Sequence, residues 1–268
     1  MSVGNRLLAW VFTCLVMVSL AWAQESSPFV LTPQQKARIG RKIWANECGG
    51  SVSGLTSWNY GEEFPSLGIG HFIWYPAGFD GRFEESFPKL IEFARQKGAT
   101  PPPVALQRYC PWPSRQAFEA DRHGPQLKAL RLWLANSVSL QTDYIIRRSS
   151  QALAQALQVA PPQQAAKIEK NYGKVATTSN GVYALIDYVN FKGEGTNPRE
   201  RYHGQGWGLL WVLMEMRDVP AGQAAAREFA AAAKRVLDRR IDNSPPERGE
   251  ARWRQGWHNR CDGYAQPF

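Results

Sequence analysis

Short proline-rich breaks divide most of this chain into helical segments, and this division restricts the fold more than any other feature. The breaks are Thr100–Pro103, Ala160–Pro162 and Ser244–Pro246. Each is too short to separate domains and is typical of a turn between packed helices. The candidate helices that follow residue 80 cover about 84–97, 114–135, 138–158, 163–171, 180–191, 206–217, 221–240 and 248–260.

A further helix is predicted near the beginning of the chain. Thr32 is a candidate N-cap, Pro33 suits the first helical position, and Gln35 completes a capping box. The helix should run to about Cys48, because Gly49 and Gly50 follow it.

The stretch from Gly50 to Pro76 has a different composition. Glycine, serine, threonine and asparagine are dense, and no helical period is maintained, which favours short strands and turns. The sequence therefore predicts an α+β fold that is predominantly α-helical, with a small β-hairpin insertion after the first helix. Residues 24–268 are expected to form a single domain.

The first 23 residues have the pattern of a secretory signal peptide. Arg6 precedes an apolar run from Leu7 to Leu20, and Ala21-Trp22-Ala23 resembles a cleavage site. A membrane anchor is the alternative, but the run is shorter than the ~20 residues that a spanning helix needs. We expect a periplasmic or secreted protein without stable membrane insertion.

The net charge indicates which partners the protein could bind, and the cysteine content bears on disulfides and metal sites. A net charge of +9 favours acidic surfaces, and for an exported protein the cell wall is a nearer candidate than nucleic acid. Cys48, Cys110 and Cys261 remain after the signal peptide, and two of them could pair in an oxidising compartment. No Cys/His group has zinc spacing, so neither a metal nor a cofactor is expected.

Glu47 is the first candidate catalytic residue. Its spacing from Ile39 and Ile43 places it on an apolar helix face, and it occupies the last turn, where the helix dipole disfavours a negative charge. Burial and dipole together predict a raised pKa. A protonated carboxyl is the general acid that glycosidic cleavage needs. The alternative is a structural glutamate that is paired with an arginine.

The segment Ser66-Leu67-Gly68-Ile69-Gly70-His71 follows Glu47 by about twenty residues. A glutamate at the end of a first helix, a hairpin and then a Thr/Ser-x-Gly-x-Gly-His segment resembles the phage-type lysozymes and, more broadly, the lysozyme-like superfamily. The resemblance covers Ile39 to Tyr75. It implies that Glu47 is the general acid, that Ser66 takes the place of the family's threonine, and that His71 is the motif histidine.

The chain departs from the family at the second carboxylate. The family has an aspartate in the hairpin, whereas here the nearest acids are Glu62 and Glu63. Glu62 is assigned to stabilise the cation or position water, with Glu63 or Glu194 as alternatives. Lytic transglycosylases of the same superfamily use one glutamate alone, so that chemistry stays open.

Two later segments resemble the same superfamily. Tyr183–Phe191 is similar to a helix in which an asparagine, here Asn190, approaches the sugar, and Ala251–Arg260 is similar to the Arg/Trp-rich last helix of phage lysozymes. The residues assigned to substrate binding are His71, Trp58, Glu63, Tyr75, Asn190 and Glu194.

These features predict a monomeric, secreted, muramidase-like glycoside hydrolase that cleaves β-1,4 bonds in peptidoglycan or a related amino-sugar polymer. The alternatives are a lytic transglycosylase, a chitosanase-like enzyme, and a non-catalytic protein that binds cell wall or glycan on the same scaffold.

Overall fold

The computed structural model describes residues 29–268 and confirms a predominantly helical α+β fold. The predicted signal peptide at 1–23 lies outside the described residues. The α-helices of the described range are α1 Pro33–Cys48, α2 Phe87–Gln96, α3 Arg115–Ala120, α4 Pro125–Asn136, α5 Val138–Val159, α6 Pro162–Val175, α7 Ser179–Lys192, α8 Leu209–Glu215, α9 Gln223–Asn243 and α10 Arg254–Asp262.

The signals at both ends of α1 act as predicted. The Thr32 hydroxyl accepts a hydrogen bond from the Gln35 amide at 3.2 Å, and the Gln35 side chain accepts one from the Thr32 amide at 2.8 Å. At the other end, Gly49 adopts a left-handed φ of 60°, which glycine tolerates without cost. The last turn of α1, which carries Glu47, is therefore held at a defined position.

One predicted helix is two helices in the structure. The predicted span 114–135 is interrupted between α3 and α4, where Gly124 caps α4 and Pro125 occupies its first position. The amide nitrogen of a proline cannot donate to the preceding turn, so the helix has to begin again at that residue.

The segment after α1 forms a three-stranded antiparallel sheet rather than a simple hairpin. Its strands are β1 Thr56–Ser57, β2 Ser66–Leu67 and β3 Phe72–Ile73, in the order β1-β2-β3. A second hairpin pairs β4 Arg201–Tyr202 with β5 Gln205–Gly206.

Buried hydrophobic side chains form one continuous cluster from Phe29 to Tyr264. Helix α9 lies at its centre, with an alanine-rich face that packs against α6, α7, α8 and α10. Helix α1 packs against α5, which also contacts α7. This arrangement brings the ends of α1, α7 and α10 to one side of the molecule, where their polar side chains meet.

Two further observations concern the described residues alone. Cys48, Cys110 and Cys261 are all buried and unpaired, so the disulfide that the sequence allowed is absent from this structure. Every helix in residues 29–268 is too short or too polar to span a lipid bilayer.

Candidate active site

Glu47 lies where α1 meets the three-stranded sheet. Ile39 and Ile43 on the same face are buried, as the spacing predicts, and the Glu47 side chain is 12% exposed. The carboxylate thus lies at the edge of the core and keeps limited access to solvent.

One oxygen of Glu47 is held by two donors from distant helices. Arg260 on α10 donates from Nη2 to Oε1 at 2.8 Å, and Asn190 on α7 donates from Nδ2 to the same oxygen at 3.1 Å. The three side chains that meet here come from widely separated parts of the sequence.

The other oxygen, Oε2, faces His71. The His71 Nδ1 atom lies 3.4 Å from Oε2, and Oε2 accepts no hydrogen bond from any residue within 29–268. Burial and the nearby Arg260 guanidinium lower the pKa of His71, although Glu47 acts in the opposite direction. Oε2 is therefore the oxygen of Glu47 that the fold leaves without a hydrogen bond from the described residues, and it is the position that can carry a proton.

The glycines of the Gly-x-Gly-His segment explain how His71 reaches Glu47. Gly68 has a φ of 68° and His71 a φ of 51°, so the chain turns through two left-handed positions. A Cβ atom at Gly70 would lie 2.6 Å from the Asn190 Oδ1 atom. Glycine at position 70 is thus required for the turn to approach α7.

Arg260 is fixed by a second carboxylate, that of the fully buried Asp187. Arg260 donates to both oxygens of Asp187, at 2.7 and 2.8 Å, and Tyr264 donates its hydroxyl hydrogen to Asp187 Oδ2 at 2.6 Å. The Phe191 ring centroid lies 4.1 Å from the guanidinium carbon. Arg260 therefore keeps its position whether or not Glu47 is charged.

The expected rise in the Glu47 pKa is wrong for this structure. Burial raises the pKa as predicted, but the charges of Arg260, His71 and Lys192, with the Arg260 hydrogen bond, lower it below its ordinary value. Helix α1 by itself favours a raised pKa, whereas Arg260, the partner that lowers the pKa of Glu47 most, lies on the last helix. The alternative weighed for Glu47, pairing with an arginine, describes the observed contact.

The residues assigned to the second catalytic role do not contact Glu47. Ser66 is buried in β2, where its carbonyl accepts a hydrogen bond from Ser57 Oγ at 3.3 Å. Glu62 accepts one from Asn59 at 3.0 Å, and burial raises its pKa. Glu63 is exposed. Their catalytic roles stay predictions.

The remaining assigned residues lie in two other places. Trp58 is buried, and its indole donates to the Glu62 carbonyl at 2.7 Å, so its ring belongs to the core in this structure. Tyr75 and Glu194 line a cavity of about 860 Å³ whose wall includes neither Glu47 nor His71. Glu194 accepts two hydrogen bonds from Arg148, at 2.6 and 2.9 Å.

Arg260 and Asp187 belong to the candidate site, and the sequence-based assignments do not include them. Both lie within segments that resemble the superfamily's later helices. Asp187 carries a usable signal, because it is an isolated acid in the otherwise apolar run Tyr183–Val189, and a buried acid needs a cation. Its partner on α10 has no local signal.

No group of three or more His, Cys, Asp or Glu side chains within residues 29–268 is arranged to hold a metal ion. Comparisons with protein-family models, with curated proteins and with solved structures each find no match to this chain.

Proposed function

We propose that the protein is a secreted glycoside hydrolase that cleaves β-1,4 bonds of peptidoglycan, with Glu47 as the general acid. One observation carries the proposal. The three segments that resemble the lysozyme-like superfamily meet at a single carboxylate: Glu47 and His71 come from the first, Asn190 on α7 from the second, and Arg260 on α10 from the third. A carboxylate that is oriented on one oxygen and left without a hydrogen bond on the other suits the role of a general acid.

The two oxygens of Glu47 suit different tasks. Oε1 is held by Arg260 and Asn190, which orients the carboxyl group. Oε2 is free of hydrogen bonds from the described residues and is the oxygen that would carry the proton. In the reaction, Oε2 donates this proton to the glycosidic oxygen, the bond from that oxygen to C1 breaks, and water adds to the sugar cation and returns a proton to Glu47.

The pKa of Glu47 is lowered in the protein without bound substrate. A sugar chain that covers Oε2 removes the remaining water from the carboxylate, and this desolvation favours the protonated form. Since burial is already the largest influence on this group, substrate binding acts in the direction that the reaction needs.

A lytic transglycosylase is the second candidate, and a specific observation favours it. The other carboxylate of the cluster, Asp187, is held by Arg260 and Tyr264 and is fully buried. Within residues 29–268, Glu47 is thus the carboxylate of this cluster that keeps an oxygen without a hydrogen bond. In a transglycosylase a hydroxyl of the substrate's own sugar takes the place of water, and the product is an anhydro sugar.

The test is wall clearance by wild type and by Glu47→Gln, which keeps the shape of the side chain and removes its acidity. We expect a loss of at least ~100-fold, since general acid catalysis contributes 10²–10⁴-fold. Glu169→Gln, an exposed change on α6, is the matched control and should equal the wild type. Mass spectrometry of the released fragments separates a reducing end from an anhydro end.

Equal clearance by wild type and Glu47→Gln would overturn the assignment of Glu47. A protein that binds purified walls and releases no fragments would favour the non-catalytic glycan-binding alternative. Release of fragments from chitosan but not from peptidoglycan would favour the chitosanase-like one. Export is tested separately, by determining the N-terminus of the mature protein.

A further inference from the structure

The cavity of about 860 Å³ is separate from the Glu47 site. It lies between the chain around Tyr75–Glu85, the helices α2 and α5, and the loop that follows α7. Its volume lies in the range of ~300–1,000 Å³ that is usual for ligand sites. Neither the general acid nor its direct partners line it, so the proposed reaction leaves it unused.

The cavity nevertheless begins close to Glu47. Tyr75 follows His71 by four residues, and Glu194 follows Asn190 by four residues. Four residues of extended chain reach at most ~14 Å. Two walls of the cavity therefore start within ~14 Å of two residues that contact Glu47, which is a distance that a substituent on a bound sugar chain can bridge.

Three arginines of the cavity wall have no carboxylate partner among the described residues. Each guanidinium instead lies over an aromatic ring: Arg82 at 5.1 Å from the Tyr202 centroid, Arg108 at 5.3 Å from Tyr109, and Arg147 at 5.5 Å from Phe93. Arg82 also donates from Nη1 to the Tyr202 hydroxyl at 2.9 Å, and Arg147 donates from Nη1 to Gln96 Oε1 at 3.5 Å. Since a guanidinium carries five N–H donors in its plane, the other donors stay available for a carboxylate.

The same wall holds carboxylates without a cationic partner. Glu200 accepts a hydrogen bond from the Asn197 amide at 3.3 Å, and burial raises its pKa. Glu85 accepts one from the Tyr75 backbone amide at 2.8 Å. Neither forms an ion pair with a described residue. The cavity thus presents available groups of both signs around the closed pair of Arg148 and Glu194.

The arginines and glutamates of the cavity wall together determine which kind of ligand can bind there. An uncharged sugar chain leaves all of these charges unmatched, and a ligand of one sign is repelled by the groups that carry the same sign. A short peptide with both carboxylates and an amine matches them. Resting on the proposed function, we propose that this cavity binds the peptide branch of peptidoglycan, with its carboxylates at Arg82, Arg108 and Arg147 and its amine at Glu85 and Glu200.

Calorimetric titration of the mature chain tests this, with a synthetic stem tetrapeptide that has free carboxylates, one free amine and no sugar. We expect Arg147→Gln to raise the Kd at least five-fold, because it removes one of the three guanidinium groups proposed to bind the carboxylates. Arg147 is exposed, so the variant should keep its fold. Arg95→Gln, an exposed arginine on α2 outside the cavity wall, should not change the Kd. Acetylation of the peptide amine should weaken binding to the wild type.

Three results would overturn the proposal: no binding at millimolar peptide, equal affinity of wild type and Arg147→Gln, or displacement of the peptide by neutral chitotetraose. Glu47→Gln separates this proposal from the proposed hydrolysis. If that variant binds the peptide while the wild type leaves walls intact, the cavity assignment stands and the hydrolase assignment fails. If walls are cleared and the peptide does not bind, the reverse holds.

Discussion

Glu47 and Glu250 are each paired with an arginine, and their surroundings differ in one respect. Glu250 accepts hydrogen bonds on both oxygens: Oε2 from Arg240 at 2.7 Å, and Oε1 from Arg240, Tyr202 and Arg248 at 2.9–3.2 Å. Glu47 accepts two hydrogen bonds, both on Oε1. In each case the guanidinium carbon lies about 4 Å from an aromatic centroid, that of Trp207 or Phe191.

The difference separates a structural ion pair from a site that can exchange a proton. Both oxygens of Glu250 accept hydrogen bonds from the fold. At Glu47 the fold uses one oxygen and leaves the other beside His71. The two arginines differ in the number of their carboxylate partners. Arg260 also binds Asp187, whereas Arg240 contacts no carboxylate other than Glu250 within residues 29–268.

The largest expected effect follows from this difference and concerns stability. Glu250→Gln leaves Arg240, which is 8% exposed, without a counter-charge, and should lower the free energy of unfolding by about 3 kcal/mol or more. Glu47→Gln leaves Arg260 with Asp187 and should cost about 1 kcal/mol. Urea titrations of the wild type and the two variants measure both losses, provided that the m-value, the slope of unfolding free energy against urea concentration, is the same for all three. Equal losses would show that the two pairs have the same role in the fold.

The second prediction uses pH. The fold lowers the pKa of Glu250 from 4.5 to about 2: burial raises it, but the hydrogen bonds and charge of Arg240, with Tyr202 and Arg248, outweigh burial. A lowered carboxyl pKa stabilises the folded state above pH 4.5, and this contribution, about 3 kcal/mol, is lost as the pH falls towards 2. The stability difference between wild type and Glu250→Gln should therefore shrink across this range. If the stability difference between the wild type and Glu250→Gln does not change with pH, the lowered pKa of Glu250 is contradicted.

How much of this comparison the sequence could predict depends on the range of each interaction. The capping box of Thr32 and Gln35 and the stop at Gly49 act within a few residues, so α1 was predicted with its ends, and Glu47 with its apolar face. The Gly68–His71 turn was found as a motif, because its glycines are required by local backbone geometry and by the approach of α7.

The electrostatic state of Glu47 lay beyond such reasoning. Arg260 is 213 positions away in the chain, and nothing in α1 indicates which of the many arginines would reach it. Local burial and the helix dipole therefore predicted a raised pKa, and a tertiary contact reversed the sign. The closed pair of Arg148 and Glu194 is a similar case, since it depends on how α5 packs against the loop after α7.

The smallest expected effect concerns Lys192, which lies between the two regions. Its ammonium is 3.6 Å from the Trp257 ring centroid and 4.0 Å from that of Phe191, and its charge is among those that lower the pKa of Glu47. Lys192→Met removes that charge, so the pKa of Glu47 should rise. A general acid works while it is protonated, so the alkaline limb of the kcat/KM profile should move to higher pH.

Lys192→Arg keeps the charge and should keep the wild-type profile, as should Lys128→Met, an exposed change on α4. Burial and the charges of Arg240 and Arg260 also lower the pKa of Lys192 itself. If Lys192 is neutral at the pH of the proposed reaction, Lys192→Met will leave the limb unmoved, and Arg260 and His71 will remain as the groups that lower the pKa of Glu47. An unmoved limb would show that the charge of Lys192 does not affect the acidity of Glu47. A shift would show that Lys192, which lies near both Glu47 and Glu250, lowers the pKa of Glu47.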